Sequence, residues 1–239
     1  MQQNLEEIMN QTEQLIDVGR AYINALKKLD KNHPEEVAHI LDIFNCVHPD
    51  HGYHLGIYIE GPWPEDAVTH RCDQSWFHCY HGNEEPIMSR PYSSNKWNDR
   101  DYKSVPYLRF TFEMFLHLSI DPTPMGAWQA YLLSVSKTVL PFSGITYYTK
   151  RLLIFQREQL KDIRSLGFKK IEGLNNLETD LFPKIKIDGN KAVVSSCYWS
   201  DWGGLFRESV EITFLENGKV KIGDFTQENI FEYDVGSRF

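Results

Sequence analysis

Residues 185–222 read IKIDGNKAVVSSCYWSDWGGLFRESVEITFLENGKVKI, and the fold is decided there. Ile185 and Ile187 flank a lysine, Asp188-Gly189 interrupts, and an apolar-rich run follows from Ala192 to Trp199. Val210, Ile212 and Phe214 then alternate with polar residues, Asn217-Gly218 interrupts, and Val220 and Ile222 alternate back. Alternation places every second side chain on one face of an extended chain. Asp-Gly and Asn-Gly accept the positive φ that tight hairpin turns require. The stretch predicts an antiparallel meander of four or five strands, the last supplied by Ile230, Phe231 and Tyr233. One polar face per strand predicts that the other face packs on helices.

The helices lie upstream. Leu5, Ile8, Thr12, Leu15, Ile16, Tyr22, Ile23 and Leu26 recur at steps of three and four, which predicts an amphipathic helix over roughly 3–29. Residues 30–34 form a turn, with Pro34 at the start of a second helix carrying Val37, Ile40, Leu41 and Phe44. The short connection makes an N-terminal helical hairpin. Farther on, Thr123 is placed to cap a helix with Pro124 in its first turn and Met125, Trp128, Leu132, Val135 and Val139 on its core side. Between Pro141 and Gly167, Tyr148, Leu152, Phe155, Ile163 and Leu166 oppose Lys150, Arg157, Lys161 and Arg164. That pattern predicts a basic-faced helix over roughly 145–165.

The middle is less regular. Residues 46–106 are rich in Gly and Pro and predict long loops, with short strands at 55–59 and 76–80. In residues 108–120, YLRFTFEMFLHLSI less its first residue, Leu108, Phe110, Phe112, Met114, Leu116, Leu118 and Ile120 take every second position, which predicts a long strand. Helices first, a mixed middle and strands last define an α+β chain. A meander of about 60 residues is marginal alone, so residues 1–239 are expected to form a single domain, with sub-lobes 1–167 and 168–239.

Composition bounds the function. The 239 residues carry 25 Lys+Arg against 33 Asp+Glu, a net charge of −8. Residues 1–80 hold 13 acidic and 5 basic residues, so the excess lies in the first third. Such a chain lacks the basic footprint of a general nucleic-acid binder and would attract a basic protein partner. The N-terminus has no basic start followed by an apolar core, and no stretch approaches the ~20 apolar residues of a membrane span. Four cysteines with no CxxC pair are read as reduced thiols, which points to the cytoplasm.

Two sets of residues are candidates for a site. Residues 46–81 hold three of the four cysteines and six of the nine histidines. Imidazole and thiolate are zinc ligands, so His48, His51, His54, Cys72, His78 and His81 form a candidate metal set for a zinc-dependent hydrolase. They follow no HExxH or knuckle spacing. The second set is Trp199, Asp201, Trp202, Arg207 and Glu208, around the strand-to-loop corner SCYWSDWGG, where aromatic area and opposite charges would line a ligand groove. Loop tryptophans elsewhere leave a small-ligand or carbohydrate binder as an alternative. Glu113 and His117 share the polar face of the predicted strand but stand ~13 Å apart, too far to act as a pair. With no GxSxG, P-loop or GxGxxG present, the expectation is a binding protein without a cofactor, with the texture of an acidic bacterial inhibitor or immunity protein.

Overall fold

The computed structural model describes residues 2–29, 34–60, 74–82, 84, 87–90, 113–140, 151–163 and 171–234. It is an α+β fold in which sheet dominates. Helix α1 (Gln2–Lys28) leads through a 3-10 turn, Pro34–Val37, into α2 (Ala38–Ile43). Leu15, Ile16, Tyr22 and Leu26 of α1 are buried, the spacing expected of one apolar stripe. Strands β1 (Val47–Pro49), β2 (Tyr53–Glu60), β3 (Gln74–His81) and β4 (Ile87–Arg90) follow, then β5 (Leu118–Ile120), α3 (Pro124–Ser134) and α4 (Ser136–Val139). The C-terminal part contains β6 (Leu152–Ile154), β7 (Lys184–Asp188), β8 (Lys191–Ser200), β9 (Trp202–Phe214) and β10 (Val220–Asp234).

Helix α3 is the hub. Thr123 is extended and its Oγ1 accepts the Gly126 N–H at 3.0 Å, capping the helix as expected. Every residue from Gly126 to Ser134 is buried, so the helix has a core on all sides rather than one stripe. Burying a side chain the size of Leu132 or Leu133 stabilises the fold by roughly 1.5–3 kcal/mol. Its polar groups are matched: Trp128 Nε1 donates to the Leu15 carbonyl at 2.8 Å, and Gln129 Oε1 accepts the Cys46 N–H at 2.9 Å. Tyr22 Oη donates to the Leu132 carbonyl at 3.0 Å.

The meander is present, with strand order β10-β9-β8-β6 and β7 beside β8. Strands β7 and β6 share one edge of β8: β7 pairs Lys191 through Ser195, and β6 pairs Cys197 through Trp199. The inner face presents Ala192, Val194, Tyr198, Val210 and Ile212 to the helices. The outer face presents Ile154, Cys197, Trp199, Leu205 and Tyr233 to a second core closed by Leu160, Leu174 and Leu181.

Several expectations are corrected. In the described part of the long strand, Met114–Leu116 form a 3-10 turn and only Leu118–Ile120 are extended, paired with β1. Met114 and neighbouring Phe115 are both buried while Leu116 is 64% exposed, so the two-residue period ends there; residues 108–112 lie outside the described residues. In its described part, residues 151–163, the basic-faced helix is replaced by β6 and a 3-10 turn, Arg157–Asp162; residues 145–150 and 164–165 lie outside the described residues. Leu153, Ile154 and Phe155 are all fully buried because β6 has a core on each side, and a strand buried on both faces mimics a helical stripe. Ile230, Phe231 and Tyr233 form no separate strand: they end the single 15-residue β10, which passes through two register shifts. The β7–β8 turn falls one residue later than expected, with Asp188 paired to Lys191 and Gly189 at φ +59° between them. Strands 55–59 and 76–80 are found within β2 and β3, and β1 and β4 arise inside the stretch expected to be loop.

Candidate functional site

At the corner, residues 199–208, the described side chains divide between the two faces of the sheet. Ser196 pairs with Glu208 and Cys197 with Arg207, so Arg207 and Trp199 project from the outer face and Glu208 from the inner one. Trp199 is 4% exposed, packs on Tyr233, and donates its Nε1–H to Asp201 at 2.8 Å. Arg207 donates to the Asp180 carbonyl and holds the incoming chain against the sheet. Trp202 opens β9 opposite Asp234; its side chain lies outside the described residues.

Glu208 is fully buried and ion-paired. Arg151 donates to its two oxygens at 2.8 and 2.6 Å, Tyr131 Oη at 3.0 Å and Gln227 Nε2 at 3.4 Å. The Arg151 guanidinium also lies 4.2 Å above the Tyr198 ring. This cluster joins α3, the start of β6 and the inner faces of β8, β9 and β10. Burial, reinforced by the neighbouring Glu208 charge, pushes the Tyr131 hydroxyl well above its ordinary value. The group acts as a clamp: its carboxylate has no face open to a ligand.

The described histidines and cysteines of 46–81 lie on β1, β2 and β3 and in the segments beside them. His48 Nε2 lies 3.2 Å from Asp121. His51 is exposed in the turn before β2, and His54 packs on Tyr80 across the β2–β3 ladder. The ring centroids of His78 and Tyr80 lie 6.0 Å apart. His81 and Tyr53 meet edge to face at 5.0 Å, and the Tyr53 ring stacks on His117 at 4.0 Å. Cys72 lies outside the described residues. Among the described residues, no three His, Cys, Asp or Glu side chains converge as a metal site would require. The described thiols are also kept protonated by burial: Cys46 and Cys197 are raised, and Cys79 is pushed up to about 12, with Asp50 adding to the effect. Glu113 and His117 flank the Met114–Leu116 turn, so no strand carries them on one polar face.

What the fold does assemble is an acidic strand at the rim of the meander. Among the described residues β10 pairs with β9 alone and forms the outermost strand of the sheet. Asp224, Glu228 and Glu232 on it are exposed. Three cations on or beside the sheet are paired: Lys184 with Asp180 at 2.9 Å, Lys191 with Glu211 at 2.9 Å, and Lys219 of the β9–β10 turn with Asp50 at 2.5 Å. Arg207 is the cross-strand neighbour of Glu228, yet its guanidinium reaches Asp180 instead. Among the described residues no Lys or Arg nitrogen lies within 4.0 Å of Asp224, Glu228 or Glu232. In the overall charge of the C-terminal part, the lysines of β7 and β8 offset the carboxylates of this strand. The usable signal was local: residues 220–234 hold four acidic residues against Lys221 alone.

No family model, no curated protein and no solved structure matches this chain.

Proposed function

We propose that the protein is an acidic binding module that engages a basic macromolecular partner. The observation that carries this reading is the set of exposed carboxylates on β10, Asp224, Glu228 and Glu232, to which the fold supplies no counter-ion among the described residues. Carboxylates held on a rigid sheet and left without partners attract cations over about a Debye length, ~10 Å at moderate salt. The net charge of −8 acts in the same direction. Chemistry at the described thiols is disfavoured, since burial holds each of them in the unreactive protonated form.

The test is affinity capture from lysate, followed by titration of the captured protein. The partner should be basic, should bind less tightly as salt is raised, and should lose about tenfold or more in affinity to the Asp224→Asn/Glu228→Gln/Glu232→Gln variant. A partner indifferent to both salt and the triple substitution would overturn the proposal.

A further inference from the structure

The geometry points to a mode of binding: the partner adds an extended basic segment as a new strand along the side of β10 that pairs with no strand among the described residues. The inference rests on the acidic-module reading and specifies how that module works.

Strand β10 is 15 residues long, where ordinary strands run to about 5–6, and it lies at the rim of its sheet. A strand in that position turns a row of backbone N–H and C=O groups outward, a template for another extended chain. Lys221, Asp224, Thr226, Gln227, Glu228, Asn229 and Glu232 are exposed along it. Proteins protect such edges with charge and with bulges, and β10 has register shifts at Ile222/Phe225 and Asn229/Phe231. Between those shifts the residues from Phe225 to Asn229 pair regularly with Val210 to Phe206, leaving five residues in uninterrupted ladder. The charges that guard this window are all of one sign. They repel a second copy of the same edge, since each copy would bring Asp224, Glu228 and Glu232 against their equivalents. They do not repel a strand carrying Lys or Arg at the facing positions, where each cross-strand opposite pair contributes roughly 0.2–1 kcal/mol. Backbone pairing then supplies affinity, and the carboxylates select for sign.

The experiment uses the full chain and three synthetic peptides of alternating Lys and Thr: the parent, one N-methylated at the odd amides and one at the even amides. A strand added to an edge pairs through one set of amides only, so one methylated peptide should lose about tenfold or more in affinity while the other keeps it. Hydrogen exchange of the amides of 225–229 should slow when the parent binds. The Glu228→Lys/Glu232→Lys variant should reject the Lys/Thr peptide and accept a Glu/Thr one. If the parent and both methylated peptides bind alike, strand addition is overturned while the acidic-module reading stands. If the parent fails to bind, or binds without slowing those amides, strand addition is likewise overturned, and the capture experiment above judges the broader reading separately. A free protein that sediments as a dimer with these amides already protected overturns it in favour of a second copy.

Discussion

Replacing Arg151 with Met tests how the meander is fastened to its helix. Arg151 is 19% exposed and Glu208 not at all. The substitution removes both charge-assisted hydrogen bonds, at 2.8 and 2.6 Å, and the guanidinium over Tyr198. Among the described residues Glu208 keeps two neutral donors, the Tyr131 hydroxyl at 3.0 Å and the Gln227 amide at 3.4 Å. A buried charge deprived of its partner costs about 3–5 kcal/mol. The two surviving donors place this case toward the lower end, about 3–4 kcal/mol. For a chain of this size that lowers Tm by roughly 6–16 °C. Glu208→Gln strands Arg151 instead, but a partly exposed guanidinium can turn to water, so its cost should be nearer ~1–2 kcal/mol. The double variant carries no orphaned charge and should be more stable than Arg151→Met alone. Urea unfolding followed by tryptophan fluorescence and far-UV circular dichroism measures all three. An Arg151→Met loss below ~1 kcal/mol, or three values that add within ~0.5 kcal/mol, would refute the clamp.

Other outcomes follow from single positions. Gly204 has φ +99°, and a Cβ there would sit 2.0 Å from the Phe231 carbonyl oxygen, so Gly204→Ala should cost at least ~3 kcal/mol. Gly189 has φ +59° in open space, and Gly189→Ala should cost only ~1 kcal/mol; equal shifts in urea midpoint would contradict this contrast. Thr123→Ala removes the cap on α3 and should cost ~1 kcal/mol, with Thr123→Ser restoring most of it in the same assay. In a Cys72→Ser background, native-state thiol labelling near neutral pH should be slow and should accelerate on adding urea. Cys79 is raised from 9.0 to about 12 in the fold, so the folded state keeps a proton that the unfolded chain releases. Its contribution to stability is therefore complete below about pH 9 and lost as pH climbs toward 12, with Tyr22 and Tyr131 adding to the loss at the alkaline end. A urea midpoint that stays flat across that range would count against these buried groups.

Local pattern settled much of this chain. The three-and-four spacing of α1, the Thr123-Pro124 start of α3 and the alternation through residues 185–222 each state a backbone geometry that neighbours along the chain enforce by themselves. The net charge and the absence of familiar catalytic spacings also belong to the sequence. Tertiary structure decided what no local period contains. Residues 152–155 looked helical because β6 lies between two cores: Leu153, Ile154 and Phe155 are buried in succession and leave no alternation to show. Leu116 looked interior until a 3-10 turn carried it outward. Trp199 and Glu208, nine residues apart, looked like neighbours in a groove. The β8–β9 register puts them on opposite faces of the sheet, one in the second core and the other beneath Arg151. The carboxylates of β10 stand out for a similar reason: each is ordinary in the sequence, and only the order of strands shows that among the described residues their strand lies at the rim, while Arg207, opposite Glu228, is held by Asp180.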